Sequence, residues 1–462
     1  MEYREEEDSM GSVQVPKDAY YGSQTQRAVD NFPDSGLKMP LTLIRALALI
    51  KVAAAKVNPE LGLLDAKKAK AIETAGRQVI NGLLDDQFVV DLFQTGSGTS
   101  TNMNMNEVLA SKANEILTGH KGGRTPVHPN DHVNLGQSSN DVIPSALHIA
   151  AALGLRHRLI PALATIKEAL ALKSNEFNNI YKIGRTHLQD AVPLTLGQEF
   201  SGYAHQMALC IDRIEAVFER LNELALGGTA VGTGINAHPE FARKVIAAIN
   251  FETKLNFKEA RNHFEAQAAR DTVLEVSGVL KTIAAAMVKI ANDIRWLGSG
   301  PRCGIGELKL PALQPGSSIM PGKVNPVIPE AVIQLAYQVM GNDTSILLSA
   351  QSGSFELNVT LPLIAHNLLQ SIDFLALAGN TFTHKCIDGL MADQKVCNGY
   401  LERSLALVTA LVPYIGYDQA AILAKKAYQS GKSIRQVAME AEIMSDEALE
   451  RILSVKVFEP LD

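Results

Sequence analysis

The sequence predicts a mainly α-helical protein organised in three parts. Its 462 residues are enough for more than one hydrophobic core. Hydrophobic residues make up 46% of the chain but aromatic residues only 5%, so the cores must be built largely from Ala, Leu, Ile and Val, which suits packed helices better than sheets. Two long stretches in the middle of the chain also carry apolar residues at helical spacing. These observations together predict the all-α fold class, with a bundle of long helices at its centre.

The first part, residues 1–138, is predicted to be mixed but mainly helical. Short helical runs alternate there with connections that are rich in Gly and Asn. Residues 15–22 are expected to be extended. A helix is predicted from near Leu41 to Lys56.

The middle part, residues 139–396, is predicted to hold the long helices. One apolar stripe recurs at alternating spacings of four and three residues, at Met207, Ile211, Ile214, Phe218, Leu221 and Ala225. A longer stripe does the same at Val273, Val276, Leu280, Ile283, Met287, Ile290, Ile294 and Leu297. A period of 3.5 residues is typical of long helices that pack side by side with a shallow left-handed crossing. The stripes therefore predict a helix bundle, and the pattern alone favours neither bundling between subunits nor burial within one chain.

The last part, residues 397–462, is predicted to be a small helical appendage. Two of its helices have readable starts, because Ser433 precedes Ile434 and Ser445 precedes Asp446. A serine hydroxyl in this position accepts a hydrogen bond from a free N–H group of the first turn. We therefore expect one helix to begin directly after each serine.

Charge and cysteine usage argue against several classes of protein. The net charge of −6 argues against a nucleic-acid partner. The four cysteines lie far apart without a Cys-x-x-Cys spacing, which indicates neither zinc nor a disulfide framework and favours a cytoplasmic protein. No run of about 18 uninterrupted apolar residues occurs, so no membrane span is predicted. The acidic N-terminus is unlike a signal or transit peptide.

The most informative polar segment is the loop at residues 315–326. Its glycines and prolines prevent a regular helix or strand, and two hydroxyls, one lysine and one amide remain as functional groups. Ser317 is a poor base in water, so it could remove a proton only if backbone N–H groups and a nearby cation stabilised its alkoxide. We predict that this loop brings Ser317, Lys323 and Asn325 to one anionic ligand.

Two further polar islands precede helices. Residues 95–102 place glycines beside hydroxyls, which offers N–H and O–H donors to a carboxylate, although this pattern alone is usually only a helix cap. Residues 128–141 carry more amide and hydroxyl groups than a turn needs, and their simplest interpretation is a solvated loop that caps the next helix. A metal at His128 and His132 is the less favoured alternative, since no third ligand has the usual spacing.

A fourth island, residues 184–190, is centred on His187. It is expected to lie between a helix that ends near Tyr181 and a helix that begins after Pro193. A lone histidine is usually a structural residue, but Arg, Thr, Gln and Asp flank this one within a short turn. Because histidine is the side chain best suited to proton transfer near neutral pH, the island favours a catalytic role.

The four islands together resemble the active-site segments of the fumarase/aspartase superfamily, and the similarity extends from about Arg4 to the C-terminus. Residues 137–141, 227–230 and 300–307 look like the class II fumarate hydratase family in particular. The resemblance implies a three-domain fold whose long helices form a homotetrameric core of about 20 helices. It also implies active sites shared by three subunits, a small dicarboxylate substrate, no metal and no organic cofactor.

The same resemblance implies roles for individual residues. Ser317 matches the base that removes the C3 proton of malate, while Lys323 and Asn325 match the groups that hold the resulting aci-carboxylate. His187, paired with Glu330, matches the group that acts through a water on the leaving hydroxyl. The matched ligands of the substrate carboxylates are Ser97, Gly98, Thr99, Ser138, Ser139, Asn140, Thr186 and Ser318. A second dicarboxylate site near the surface is matched by His128, Pro129, Asn130 and Asp131.

Two alternatives accompany this resemblance. Aspartate ammonia-lyases share the fold and the carbanion chemistry, and residues 327–330 look more like that family, whereas Asn140 favours an oxygen leaving group. His132 and Leu135 also depart from the usual fumarase pattern, without touching a matched catalytic position. Some superfamily members are inert structural proteins, but every matched catalytic residue is present in this chain. The sequence therefore predicts a lyase that reversibly hydrates fumarate to (S)-malate by anti addition.

Overall fold

The first part of the chain opens with strands and continues in helices. The computed structural model describes residues 2–453. An antiparallel hairpin is formed by β1 (Tyr3–Asp8) and β2 (Gly11–Pro16), so the strand ends at Pro16 and does not reach Gly22. The helices that follow are α1 (Ser23–Asn31), α2 (Leu41–Glu60), α3 (Ala66–Ile80) and α4 (Thr99–Thr118). The helix predicted from Leu41 is confirmed and continues one turn beyond Lys56.

The middle of the chain holds the four longest helices of the described residues, together with four shorter α-helices. They are α5 (Ser139–Gly154), α6 (Ile160–Glu176), α7 (Leu196–Leu221), α8 (Phe241–Thr253), α9 (His263–Ala268), α10 (Asp271–Leu297), α11 (Val327–Ala350) and α12 (Leu361–Lys385). All eight apolar residues of the stripe at 273–297 are at most 5% exposed. The spacing alone did not show whether this stripe is buried within one chain or between subunits. The structure shows that it is already buried within one chain.

Short strands connect several of these helices. Their pairs are β3 (Tyr181–Thr186) with β4 (Gln189–Thr195), β5 (Glu223–Leu224) with β6 (Lys258–Glu259), β7 (Leu308–Lys309) with β10 (Met391–Ala392), and β8 (Gly353–Ser354) with β9 (Leu357–Asn358). The first pair corrects a prediction. Helix α6 ends at Glu176 and α7 begins only at Leu196, so His187 lies in a β-hairpin and not at a junction of two helices.

The last part of the described chain is a cluster of shorter helices. They are α13 (Gln394–Arg403), α14 (Val412–Ile415), α15 (Tyr417–Ser430), α16 (Ile434–Glu440) and α17 (Asp446–Ile452). Ser433 and Ser445 cap α16 and α17 as predicted, and Gln436 completes a capping box with Ser433. Residues 454–462 of this predicted part lie outside the described residues. The prediction of a mainly α-helical protein is confirmed.

The described chain divides into two compact units, each discontinuous in sequence. The first unit comprises residues up to Pro161, Asp212–Ala284 and Ala336–Ala376. The second comprises Ala162–Ile211, Ala285–Leu335 and residues from Leu377 onward. The three-domain division with boundaries after residues 138 and 396 stays a prediction.

Two helical stretches, Ser139–Glu176 and Leu361–Gly389, are long and apolar enough to cross a membrane by length and composition alone. In the most apolar window of each, 56% and 67% of the residues are buried inside the protein. Core helices of soluble proteins have the same length and hydropathy, so these stretches are weak support for a membrane span. The predicted lack of a membrane partner stays a prediction.

Candidate active site

The loop at residues 315–326 is held together by its own hydrogen bonds. The backbone N–H of Gly316 donates to the Lys323 carbonyl at 2.7 Å, and the Asn325 side-chain amide donates to the Gly316 carbonyl at 2.7 Å. A Cβ atom at position 316 would lie 2.6 Å from the Lys323 carbonyl, so this close approach requires glycine. The two ends of the loop are thereby fixed to each other.

Ser317 receives two backbone hydrogen bonds inside this loop. The N–H groups of Ile319 and Met320 donate to its Oγ at 3.3 Å and 3.0 Å. Donors that are already oriented toward an oxygen stabilise a negative charge on it. Ser317 was expected to act as a base only if backbone N–H groups stabilised its alkoxide, and the loop provides two such groups. Ser317 is half-buried, whereas Ser318 beside it is exposed.

Lys323 and Asn325 form the cationic end of the loop. The Lys323 Nζ donates to the Asn325 Oδ1 at 2.8 Å. Lys323 is exposed, and no carboxylate of residues 2–453 lies within ion-pair distance of its ammonium group. Its positive charge is therefore available to an anionic ligand.

A cavity of about 640 Å³ adjoins this loop. Its lining includes Lys323, Asn325 and the half-buried Glu330 from the first turn of α11. It also includes Arg295 and Trp296 from the end of α10, which the sequence reasoning missed. A signal was present in the sequence, because these two residues lie between Ile294 and Leu297, two apolar positions of the stripe at 273–297. The cavity combines two cations with one carboxylate, which suits an anionic ligand that exchanges a proton.

His187 lies at the tip of the β3–β4 hairpin. Thr186 pairs with Gln189, so His187 and Leu188 form a two-residue turn, and their φ angles are +58° and +60°. Two-residue turns with two positive φ angles usually carry Asn-Gly, and a residue with a Cβ costs roughly 1–2 kcal/mol in this conformation. Both residues are exposed. The hairpin therefore presents an imidazole on a strained tip, a type of backbone that clusters at functional sites.

The hydroxyls of the first two polar islands form a chain. The Ser97 Oγ lies 2.9 Å from the Thr99 Oγ1, which lies 2.7 Å from the Ser139 Oγ. Gly98 takes the left-handed conformation at the start of α4, with φ +75°. The structure thus brings together three of the predicted carboxylate ligands from segments 40 residues apart. Hydroxyls that bond to one another can each turn a proton toward an incoming carboxylate.

Residues 138–141 are held by capping and by one buried carboxylate. Ser138 caps α5, and Asp141 closes a capping box by accepting the Ser138 N–H at 2.9 Å. The Asp141 carboxylate also accepts the N–H groups of Gly227 and Thr229 at 3.0 Å each, while burial raises the pKa of Asp141 to about 6. Asn140 donates to the Ala230 carbonyl at 2.8 Å. This island caps the next helix as predicted, but the cap is Ser138 and Asp141 is buried, so the prediction of a solvated loop is wrong at this end.

A buried lysine supports the same island. Lys51 is fully buried in α2, and its ammonium group donates to the Asn134 Oδ1 at 3.0 Å and the Gln137 Oε1 at 2.9 Å. Asn102 and Asn106 of α4 donate to the same Asn134 oxygen. Burial lowers the pKa of Lys51 to about 7. The sequence reasoning missed Lys51, although a single lysine inside the apolar run of α2 was a readable signal.

The segment predicted as a second dicarboxylate site forms a short helical turn. The His128 Nδ1 accepts the N–H groups of Asn130 and Asp131 at 3.2 Å each, and it lies 3.5 Å from the Asp131 carboxylate. His132 lies 3.3 Å from the Lys68 ammonium group, and burial is the main cause of its lowered pKa. Among the described residues no cluster of His, Cys, Asp and Glu could hold a metal ion. The dicarboxylate site itself stays a prediction.

One predicted pair is not formed within a single chain. No hydrogen bond or ion pair joins His187 to Glu330 in the part of the chain that the structure describes. The pairing implied by the resemblance stays a prediction. Thr186 is exposed beside His187.

Comparisons with known families cover nearly the whole chain. A family model described as lyase matches residues 11–341, and a model described as the fumarase C C-terminus matches residues 407–458. The chain is 56% identical over 438 residues to a class II fumarate hydratase of Nitrosomonas europaea, which covers 95% of each chain. It is 53% identical over 448 residues to a class II fumarate hydratase of Thermosynechococcus vestitus, with 97% and 96% of the two chains covered. It is also 52% identical over 451 residues to a mitochondrial fumarate hydratase of Rhizopus oryzae, with 97% and 91% covered.

Solved structures agree with these relatives. A recombinant class II fumarase from Schistosoma mansoni matches with a TM-score of 0.96 at 42% identity, covering 98% of each chain. A fumarate lyase:delta crystallin from Brucella melitensis matches with a TM-score of 0.96 at 45% identity, covering 99% of this chain and 100% of the other. The three-dimensional similarity therefore spans the full length and both compact units.

Proposed function

The chain belongs to the class II fumarate hydratase family of lyases, and we propose that it interconverts fumarate and (S)-malate by anti addition and elimination of water. Identities above 50% over at least 95% of the chain support this activity. The observation that carries the mechanism is the hydrogen bonding of Ser317, whose Oγ receives two backbone N–H groups in a loop that also holds Lys323.

In the proposed dehydration, Ser317 removes the C3 proton of malate. The electron pair left on C3 delocalises into the neighbouring carboxylate and produces an aci-carboxylate with two negative charges. The unpaired ammonium group of Lys323 and the amide of Asn325 stabilise this dianion, because they are donors placed before the charge develops. The two N–H groups at Ser317 stabilise the alkoxide that accepts the proton.

Proton transfer to the leaving hydroxyl is proposed for His187. Acting through a water, it protonates the C2 hydroxyl, so that the C–O bond breaks, the double bond of fumarate forms and water departs. In this proposal, Glu330 of a second chain would hold the His187 imidazole in place. Since Ser317 and His187 act on opposite faces of the substrate in this scheme, elimination is anti.

The first unit is proposed to hold the substrate carboxylates. The chain of hydroxyls at Ser97, Thr99 and Ser139 offers neutral donors, with Gly98 and Ser138 at the adjacent helix starts. Asn140 would contact the neutral hydroxyl or water, which favours malate over aspartate. Thr186 and Ser318 are the exposed ligands proposed from the second unit.

The proposed assembly is a homotetramer in which three subunits complete each active site. Members of this superfamily act on small dicarboxylates and are generally oligomeric. The surface of helix α11 supports association between chains, because Tyr337, Leu347 and Leu348 are exposed there. The exposed fractions of Tyr337 and Leu348 are 56% and 57%. Leu377 of α12 is also exposed. Large apolar side chains on long helices are typical of surfaces that pack against another copy.

Two further proposals concern regulation and location. His128, Pro129, Asn130 and Asp131 are proposed to bind a second dicarboxylate near the surface. A cytoplasmic location is proposed from the four cysteines, which lie far apart in sequence and indicate no disulfide framework. The relatives do not decide the location, since one of them is described as mitochondrial.

The activity is tested by following the absorbance of fumarate. The purified protein is incubated with (S)-malate and, separately, with L-aspartate. We expect clear formation of fumarate from malate and weak or no formation from aspartate. Comparable turnover of the two substrates would overturn the assignment to water as the leaving group and leave the family intact. No turnover of either would favour the structural-protein alternative.

A further inference from the structure

The hairpin that carries His187 is anchored by a buried ionic cluster. Glu307 is fully buried and accepts two hydrogen bonds from the Arg185 guanidinium, at 2.8 Å and 3.0 Å. Its carboxylate also lies 3.2 Å from the Lys182 ammonium group, which lies 3.0 Å from Glu199. Because a buried charge is tolerated only when it is fully paired, these side chains hold one another in a single arrangement.

A β-bulge lies between the two cations that reach Glu307. Side chains three residues apart on a regular strand point to opposite faces, so Lys182 and Arg185 would diverge. The register of β3 against β4 shifts between Ile183 and Arg185, because two residues of β4 lie opposite the single residue Gly184. A Cβ atom at Gly184 would lie 2.7 Å from the Val192 carbonyl. The hairpin is therefore irregular between the two cations, and both contact Glu307.

Apolar and aromatic contacts close the cluster on its other side. Ile183, between the two cations in sequence, belongs to a hydrophobic core formed mainly by residues of α15, α16 and α17 and of the segment between α13 and α14. The Tyr400 ring lies 5.6 Å from the Arg185 guanidinium, and its hydroxyl donates to the Gly304 carbonyl at 2.9 Å. The strand is therefore held by charge and by packing between two and five residues before His187.

We infer that Glu307 is a positioning residue for the proposed reaction. Through Lys182 and Arg185 it fixes the strand from which the turn at His187 and Leu188 projects. That turn is strained at both residues, and strain of this kind persists only where the surrounding structure imposes it. The buried carboxylate thus sets the orientation of the imidazole without touching the substrate. This inference rests on the proposed role of His187.

The test is a double-mutant cycle between Glu307→Gln and His187→Asn. Glu307→Gln keeps the volume and removes the charge, so the hairpin loosens and kcat with malate falls on the order of 10- to 100-fold, with a smaller change in KM. If Glu307 acts through the imidazole, Glu307→Gln in the His187→Asn protein lowers kcat by less than about threefold. A change this small is close to the usual error of additivity between two substitutions. Equal losses in both backgrounds would overturn the inference.

Folding and function are separated by further measurements. Arg185→Lys keeps the positive charge but loses the bidentate contact with Glu307. It replaces Glu307→Gln in the test if that variant does not fold, and it should show the same coupling to His187. Asp343→Asn is the matched control, because Asp343 is a buried carboxylate bound to Ser277 and Lys281 in the first unit. Its effect on kcat should be the same in both backgrounds.

Hydrogen exchange of the amides at residues 181–195 gives a readout that needs no turnover. Exchange should be faster in Glu307→Gln than in the wild type and unchanged in Asp343→Asn. If the wild-type protein lacks malate turnover but this difference in exchange appears, the proposed function fails and the anchoring stands. If malate is turned over and exchange of the hairpin is unchanged in Glu307→Gln, the anchoring fails.

Discussion

The two compact units present their polar groups in opposite ways. In the first unit, Ser97, Thr99 and Ser139 are linked hydroxyls at helix starts, and the nearby cation Lys51 is buried under amide oxygens. In the second unit, Lys323 and His187 are exposed on a loop and on a strained hairpin tip. Under the proposed function, the linked hydroxyls of the first unit bind the substrate carboxylates together with Lys323 and Asn325 of the second. The predictions below assign proton transfer to the second unit alone.

The largest effect is expected for Ser317→Ala. Without the Oγ no base removes the C3 proton, so kcat with malate should fall by roughly 10³-fold or more, while the dicarboxylate is still held by Lys323 and Asn325. Turnover by absorbance and binding of fumarate by calorimetry measure the two quantities. Ser430→Ala, at the end of α15 in the same unit, is the control and should be unaffected. Near-normal turnover of Ser317→Ala would make His187 the leading candidate for the base.

A smaller loss is expected for His187→Asn. Water can partly replace a group that acts through water, so kcat should fall by about 10- to 100-fold, and less than in Ser317→Ala. A loss larger than that of Ser317→Ala, measured under the same conditions, would reverse the two roles.

In the first unit the expected change is in binding. Ser139→Ala removes the end of the hydroxyl chain, so KM for malate should rise by about 5- to 20-fold with a smaller change in kcat, as for the loss of one hydrogen bond to a charged group. Ser145→Ala is the control on the same helix, because its buried hydroxyl bonds back to the Asp141 carbonyl. If Ser139→Ala lowered kcat and left KM unchanged, the assignment of substrate binding to the hydroxyls of the first unit would be wrong.

The smallest effect concerns Lys51 and stability. Its pKa is lowered to about 7 in the folded protein, so the unfolded chain binds a proton that the folded chain does not between about pH 7 and pH 10. The free energy of unfolding of the wild type, relative to Lys51→Met, should therefore rise with pH by up to about 1.4 kcal/mol per pH unit in this window. Chemical denaturation of both proteins measures the slope.

The exposed lysine at position 67 supplies the matched control for that slope. Lys67→Met removes a charge that the folded protein leaves in water, so its difference from the wild type should not change with pH. A flat difference for Lys51→Met as well would show that Lys51 keeps its ordinary pKa when buried.

Periodic and capping features were readable from the sequence because their causes are local. The stripe at 273–297 and the serine caps of α16 and α17 depend on spacing and on one hydroxyl. The polar islands were also readable, because their amides, hydroxyls and glycines are concentrated in short segments.

Other features depend on contacts that the sequence does not display. The hairpin at 181–195 has a turn without Gly or Asn, so no turn signal marks it. Lys51 stands alone in an apolar run of α2 and Arg295 lies near the end of α10, and only packing shows what surrounds them. The proposed pairing of His187 with Glu330 involves a second chain, which no pattern in one sequence can position.

The most direct test is hydration of fumarate in D₂O with ammonium present, followed by NMR. Anti addition through a base on one face and a water on the other predicts malate with a single deuterium at C3, in one relative configuration that the C2–C3 coupling constant reports, and little or no aspartate. Two configurations of deuterated malate would contradict the separate placement of Ser317 and His187. Aspartate formed at a rate comparable to malate would contradict water as the added group.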